Sequence, residues 1–385
     1  MEWDILFLDI GIFSLRQQLL CGFITLIVRF RGKLKEKNIY GKNLLLVILV
    51  GILFLIFSLY KAWEVGYSFN FRTIVQIGLV VMPAMYVLCF VNIFSTKSII
   101  NLMKATTIIL VIIYFCEPNH NILSFFNIEN WAKINLSKSN SFTESSMCAE
   151  AFLQLFLFFY YFSKTKNMKS DKTFKIYVWI NFVFTILSFK RLGMLFAISI
   201  IVLEKIVDFK GKISPKFAWL FTILFTVGTI LYTKFMQGEI FINIDVYKFS
   251  TGRDYILSLW EKKDYLSYGY GTSMLVIDRY LEMDLIQIYM ELNIIALFVF
   301  CFAFFKIAGS KIYSILIMLY TFVNLLTASS LPWSLGWIIL LLTVVLISSG
   351  KAEKEGYEFE SKDTKYRKLF SPKKIKNENK ENAGE

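Results

Sequence analysis

The sequence predicts an all-α, polytopic integral membrane protein, and three observations carry that prediction. Apolar residues (AVILMFWYC) make up 56% of the chain and the mean hydropathy is +0.56, more apolar than a water-soluble domain. These residues recur in continuous windows of roughly 18 to 22, the length of a membrane-crossing helix. The windows lack the alternation of the ~10-residue strands that build a membrane β-barrel.

In chain order, a first span near 10–29 is interrupted by Arg16, Gln17 and Gln18, and a basic stretch RFRGKLKEKNIYGK follows it. Further apolar windows fall at about 43–60, 73–94, 99–116, 147–163, 176–189, 190–206 and 217–235, then at about 285–305, 311–328 and 333–349. That makes about eleven spans over residues 1–349. Two longer polar segments, about 117–146 and 236–284, interrupt them, and a charged tail, 350–385, is expected to be disordered.

Charge assigns sides to these segments. Lys and Arg number 42 against 29 Asp and Glu, a net charge of +13. The excess sits in the short connections 31–43, 95–104, 164–175, 204–216 and 306–311 and in the tail, which alternation places on one side. The positive-inside rule makes that side the cytoplasm, so nucleic acid is not the expected partner. The two long polar segments and the 190–191 turn then face outward. The expected location is a membrane crossed many times, with the basic connections on its cytoplasmic side.

Cys21, Cys89, Cys116, Cys148 and Cys301 form no Cys-x-x-Cys pair and read as free thiols. His120 is the one histidine, which excludes a His-rich metal site. No metal or other cofactor is expected.

Chemistry concentrates between Phe249 and Asn293. Asp284, Gln287 and Glu291 stand at i, i+3 and i+7 and share one helical face, with Glu291 about 10 Å below Asp284. On a membrane helix such a face must look into protein or a wet cavity. Glu282 and Asp284 point in different directions, so one suits a general base and the other an anchor; acidic residues also simply stabilise a first turn. Arg253 follows Gly252, and Thr251 is positioned to cap a helix beginning near Asp254; arginine and helix N-terminus together would hold an anion. The plainer alternative is a solvated arginine paired with Asp254 or Glu261. Gly269 and Gly271 frame a turn, with no preceding strand of a phosphate-binding unit. Arg191 stands at a tight turn between spans. It suits either interfacial snorkelling or bidentate binding of phosphate.

Arg191-Leu192-Gly193-Met194-Leu195 resembles the Arg-x-x-x-Leu signature of the O-antigen ligase and polysaccharide polymerase superfamily. Thr251-Gly252-Arg253, Gly269-Tyr270-Gly271 and Glu282-Met283-Asp284, in that order, are similar to the large external loop of Wzy-type O-antigen and capsular polysaccharide polymerases. The resemblance covers roughly 140–350. It departs in two ways: no histidine follows His120, which favours a polymerase over a ligase, and Asn293-Ile294-Ile295-Ala296 replaces a Gly-rich step.

The resemblance implies a glycosyltransferase that joins undecaprenyl-diphosphate-linked oligosaccharide repeats outside the membrane. Glu282 or Asp284 would be the catalytic carboxylate and Arg191 and Arg253 the diphosphate ligands. Gly252, Gly269, Gly271, Gln287 and Glu291 would support them. Expected partners are the lipid-linked oligosaccharide, the bilayer, a flippase and a chain-length regulator. An O-antigen-ligase-like transferase and a lipid-linked oligosaccharide flippase are the alternatives; a flippase should show internal repeats, and none is visible.

Overall fold

The computed structural model describes residues 29–32, 39–117, 145, 148–169, 171–188, 190–240, 253–262, 266–277, 281–328, 331 and 334–359. Among these the chain is helical, with two isolated β-bridges and no strand. The span expected near 10–29 lies outside the described residues.

The helices are α1 (Leu45–Glu64, entered through a 3-10 turn, Lys42–Leu44), α2 (Phe71–Ile93), α3 (Thr96–Cys116), α4 (Ala149–Ser163), α5 (Lys172–Leu187), α6 (Arg191–Leu203) and α7 (Lys216–Met236). After them come the short α8 (Arg253–Lys262), α9 (Thr272–Val276) and α10 (Asp284–Glu291). The chain then runs through α11 (Ile294–Ala308), α12 (Ile312–Thr327), α13 (Ser334–Ser348) and α14 (Lys351–Lys354). Lys42–Glu64, α2, α3 and α7 are long and apolar enough to cross a membrane. Helices α4, α6, α11, α12 and Leu335–Ser348 are apolar but shorter.

Side chains cap four of the helix starts. Asn70, Ser95, Asp171 and Asn293 each accept a hydrogen bond from a first-turn amide of the helix that follows, the usual N-cap arrangement. In α7, Thr222, Thr226, Thr229 and Thr233 each return their hydroxyl to the carbonyl four residues back, so a polar stripe is buried with its donors satisfied.

Helices α4 and α13 form the interior. Nearly every residue from Ala149 to Phe162 and from Trp337 to Ile347 is buried, as expected of helices apolar all round. Helix α13 packs on α2, α4, α11 and α12, and α4 packs on α5, α6 and α3. Aromatic pairs dominate these contacts, among them Phe152 with Phe184 at 4.9 Å and Phe304 with Trp337 at 5.1 Å.

Two expectations are corrected. The window at about 285–305 is not one helix: it breaks at Leu292–Asn293, and Asn293 restarts it by capping the amide of Ala296. The tail is ordered over its first residues. The Lys351 ammonium donates to the carbonyls of Val91 and Phe94 at the end of α2. Glu355 accepts the amide of Thr96 at 2.6 Å, Glu353 pairs with Lys311 at 2.6 Å, and Tyr357 and Phe359 are buried beside Phe162 and Tyr161. A bridge between Thr165 and Phe359 and the Lys166–Glu358 pair at 2.9 Å complete the strap. It ties together the lysine-rich connections α2–α3, α4–α5 and α11–α12, all at one end of the bundle.

The strap predicts a truncation result. A chain ending at Phe359 should match the full chain in thermal unfolding in detergent. One ending at Gly350 should unfold at least several degrees lower, because it loses two buried aromatic side chains worth roughly 1.5–3 kcal/mol each. Lys166 and Lys210 hold the Glu358 carboxyl below the usual carboxylate range. A lowered folded-state value means this contact stabilises above the ordinary carboxylate range and is lost as pH falls through the lower folded value. Glu358→Gln should accordingly flatten the acid side of the stability profile.

Candidate functional site

The end of the bundle opposite the lysine-rich connections is built around α10, and the polar face read from the sequence turns inward there. Asp284, Gln287 and Glu291 are 1%, 2% and 0% exposed. The Glu291 carboxylate accepts the Gly271 amide at 2.6 Å, the Ser273 amide at 2.8 Å and the Gln287 side-chain amide at 3.0 Å. Its backbone carbonyl accepts the Ser267 hydroxyl.

Gly269 and Gly271 have φ of 113° and 91°, a region that L side chains rarely enter. A Cβ on Gly269 would meet Ser58, at 2.6 Å from its Cβ and 2.9 Å from its Cα; one on Gly271 would meet Gln76 at 2.9 Å. Tyr270 between them donates its amide to the Ser58 hydroxyl at 3.0 Å and packs its ring on Phe54, while Tyr268 stacks on Tyr67. The turn is thus a joint between α1, α2 and α10. Its three amides are taken by the Ser267 hydroxyl, the Ser58 hydroxyl and the Glu291 carboxylate, so the turn itself does not cradle phosphate.

The carboxylates at the start of α10 separate as their spacing requires. Asp284 is buried and accepts the Leu331 amide at 2.9 Å, fixing the α12–α13 connection. Glu282 is exposed and has φ of 56°, the single described non-glycine residue with positive φ. Its neighbours Leu281 and Met283 are both fully buried. Pinning them on either side forces Glu282 outward, a conformation worth about 1–3 kcal/mol of strain. Of the two, Glu282 meets solvent and Asp284 serves as an anchor.

Met283 belongs to a small cluster with Phe235, Met236, Leu257 and Ile286. Leu257 lies one turn beyond Arg253 on α8, so the cluster packs the helix of Arg253 against the start of α10. The Arg253 guanidinium acts electrostatically on the Tyr232 hydroxyl, and Tyr232 packs on the same cluster. Gly252 and Thr251 lie outside the described residues.

Arg191 belongs to a different group. It is exposed at the first position of α6, next to Lys190, which pairs with Glu150 at 3.1 Å. Glu150 also accepts from Gln154 at 2.9 Å and, more loosely, from Tyr320 at 3.4 Å and Asn324 at 3.5 Å. Sequence reasoning missed this knot. The signal was present: Glu150 and Gln154, and Tyr320 and Asn324, are i, i+4 polar pairs in apolar helices, the rule that found Gln287 and Glu291. Helix α12 links the two groups, carrying Tyr320 and Asn324 in one and leading to Leu331 in the other.

The cysteines Cys89, Cys148 and Cys301 are free and buried, as expected, whereas Cys116 is free but exposed. Among the described residues no group of three His, Cys, Asp or Glu side chains is arranged to hold a metal.

These contacts separate structural from chemical roles. Glu291→Ala leaves two buried amides and Gln287 without their acceptor and should destabilise by about 3 kcal/mol or more, seen as a fall in melting temperature in detergent. Gly269→Ala should destabilise similarly, since both its φ and the Ser58 backbone oppose a Cβ. Glu282→Ala should leave stability unchanged or raise it. No family model, no curated protein and no solved structure matches the chain.

Proposed function

We propose that the chain is a glycosyltransferase of the bacterial cytoplasmic membrane. It would cross the bilayer about eleven times and join undecaprenyl-diphosphate-linked oligosaccharide repeats on the outer face. The lysine-rich end, with the strap of residues 351–359, is its cytoplasmic side, and the end bearing α8–α10 faces outward. The observation that carries the reading is the solvent-facing Glu282, held at φ of 56° between two buried neighbours and sharing a cluster with the helix of Arg253.

That pairing suits displacement at an anomeric carbon. The acceptor sugar's hydroxyl gives its proton to Glu282 as its oxygen bonds to the anomeric carbon, and the bond from that carbon to the diphosphate oxygen breaks. Negative charge grows on the departing lipid diphosphate, and Arg253 stabilises it through paired N–H donors. Asp284 positions Glu282 by fixing the start of α10. Arg191, at the second polar group, supplies a further cation on the same face. The donor arrives activated on its lipid, so the chemistry requires no nucleotide-sugar domain. A flippase that delivers repeats and a chain-length regulator are the partners this reaction calls for.

The test is complementation of a gene deletion at matched membrane expression, with surface glycan resolved by size. Glu282→Gln and Arg253→Ala should each lower polymerisation about 100-fold or more, with single lipid-linked repeats accumulating outside. Asp284→Asn, which keeps an acceptor for the Leu331 amide, should retain most activity. Repeats accumulating inside the cell would instead identify a flippase. Normal chain lengths in Glu282→Gln and Arg253→Ala would overturn the proposal.

A further inference from the structure

Gln154 sits in the buried helix α4 and is 1% exposed. Its side-chain nitrogen donates to Glu150 Oε1 at 2.9 Å, whereas its own Oε1 meets no donor in the protein. Turning the amide over offers no remedy, because the carbonyl would then face the Glu150 carboxylate, oxygen against oxygen. A buried carbonyl without a donor is costly, and at membrane depth no bulk solvent relieves it.

Gln154 lines a small pocket together with Glu150 of α4, Thr321 and Asn324 of α12, and Gly336 and Trp337 of α13. The pocket has about 10 Å³ of room for the centre of a water molecule. A single buried water needs roughly 10–15 Å³ by that measure. Cavities that stay dry are lined by apolar side chains, whereas Glu150, Gln154, Thr321 and Asn324 make this wall polar.

The electrostatics of the knot select the ligand. Glu150 accepts from Lys190 at 3.1 Å and Gln154 at 2.9 Å, and more loosely from Tyr320 at 3.4 Å and Asn324 at 3.5 Å. Each of these partners turns a proton toward the carboxylate, and Lys190 balances its charge. A metal cation would meet an ammonium and amide protons there instead of open lone pairs. An anion would face Glu150 and the bare Gln154 carbonyl. What fits is a neutral donor of one heavy atom.

A second acceptor awaits it. The Thr321 hydroxyl gives its proton to the Ile317 carbonyl at 2.9 Å, so its oxygen offers the pocket lone pairs alone. Two acceptors, with the Asn324 amide bordering the same space, supply the two to four partners that a buried water requires.

We propose that this pocket binds one water molecule, which donates to Gln154 Oε1 and Thr321 Oγ1 and so bridges α4 to α12. Nearer the lysine-rich end, Tyr313 of α12 already donates to the Leu157 carbonyl of α4 at 2.7 Å. The water supplies the matching contact toward Arg191. It thereby seats the part of α12 that leads to Leu331, whose amide holds Asp284. This role is independent of the reaction proposed above.

The test is cryo-electron microscopy of the purified full-length protein at a resolution that shows ordered water. A density peak should lie about 2.7–3.2 Å from both Gln154 Oε1 and Thr321 Oγ1. No peak there would overturn the proposal. A peak with several oxygens at about 2.3–2.6 Å, the contacts of a hard cation, would overturn it as well. Melting in detergent gives a second reading that needs no map. Thr321→Val keeps the shape and removes only a hydroxyl whose proton is bonded within α12. With water in the pocket, that variant loses one of the acceptors and should melt at least about 2 °C lower. A dry pocket would favour the methyl group, so an unchanged or higher melting temperature would also overturn the site.

Discussion

A carboxylate buried from water sits at the C-terminal end of α10, and most of the architecture at that end of the bundle follows from it. Placing an ionised group in such surroundings is costly unless hydrogen bonds replace water on each oxygen. Glu291 meets the requirement with the Gly271 and Ser273 amides and the Gln287 side chain. Two glycines with positive φ are needed to aim those amides inward, and one of them presses its backbone against Ser58 of α1. One buried acid thereby joins α1, the Gly-Tyr-Gly turn, α9 and α10 into a single unit.

From that unit Glu282 is displayed rather than buried. Helix α10 is held at its far end by Glu291 and at its near end by Asp284 through the Leu331 amide. Between these anchors and the Phe235–Met283 cluster the chain has no room to turn Glu282 inward. Its exposure is thus a consequence of burial on either side. The Glu150 knot does comparable work between α4, α6 and α12, with Lys190 neutralising the acid and Arg191 left facing solvent beside it.

The opposite end has a different economy of contacts. There the first residues of the tail cross several connections. Lys351 caps the last carbonyls of α2, and acidic residues meet the lysines of other connections. Exposed ion pairs contribute little singly, so the buried Tyr357 and Phe359 supply most of the hold. The bundle is fastened at its lysine-rich end by the tail and at its other end by buried acids. The helix that restarts at Asn293, α11, lies between α1 and α7.

The amino-acid sequence by itself determined the helical class, the positions of the apolar helices to within a few residues, and the inward-facing stripe of α10. Hydropathy windows and helical periodicity are local properties, and they act before any packing does. The same periodicity separated Glu282 from Asp284, though not which of them would be buried. Only the tertiary structure decided that, because it depends on the Leu331 amide reaching Asp284 and on Phe235, Met236 and Leu257 arriving against Met283 from other parts of the chain. The break at Asn293 was likewise hidden, since an apolar run reads the same whether or not its helix is interrupted. The order in residues 351–359 rests on carbonyls and lysines contributed by distant connections, and no local composition reports such partners.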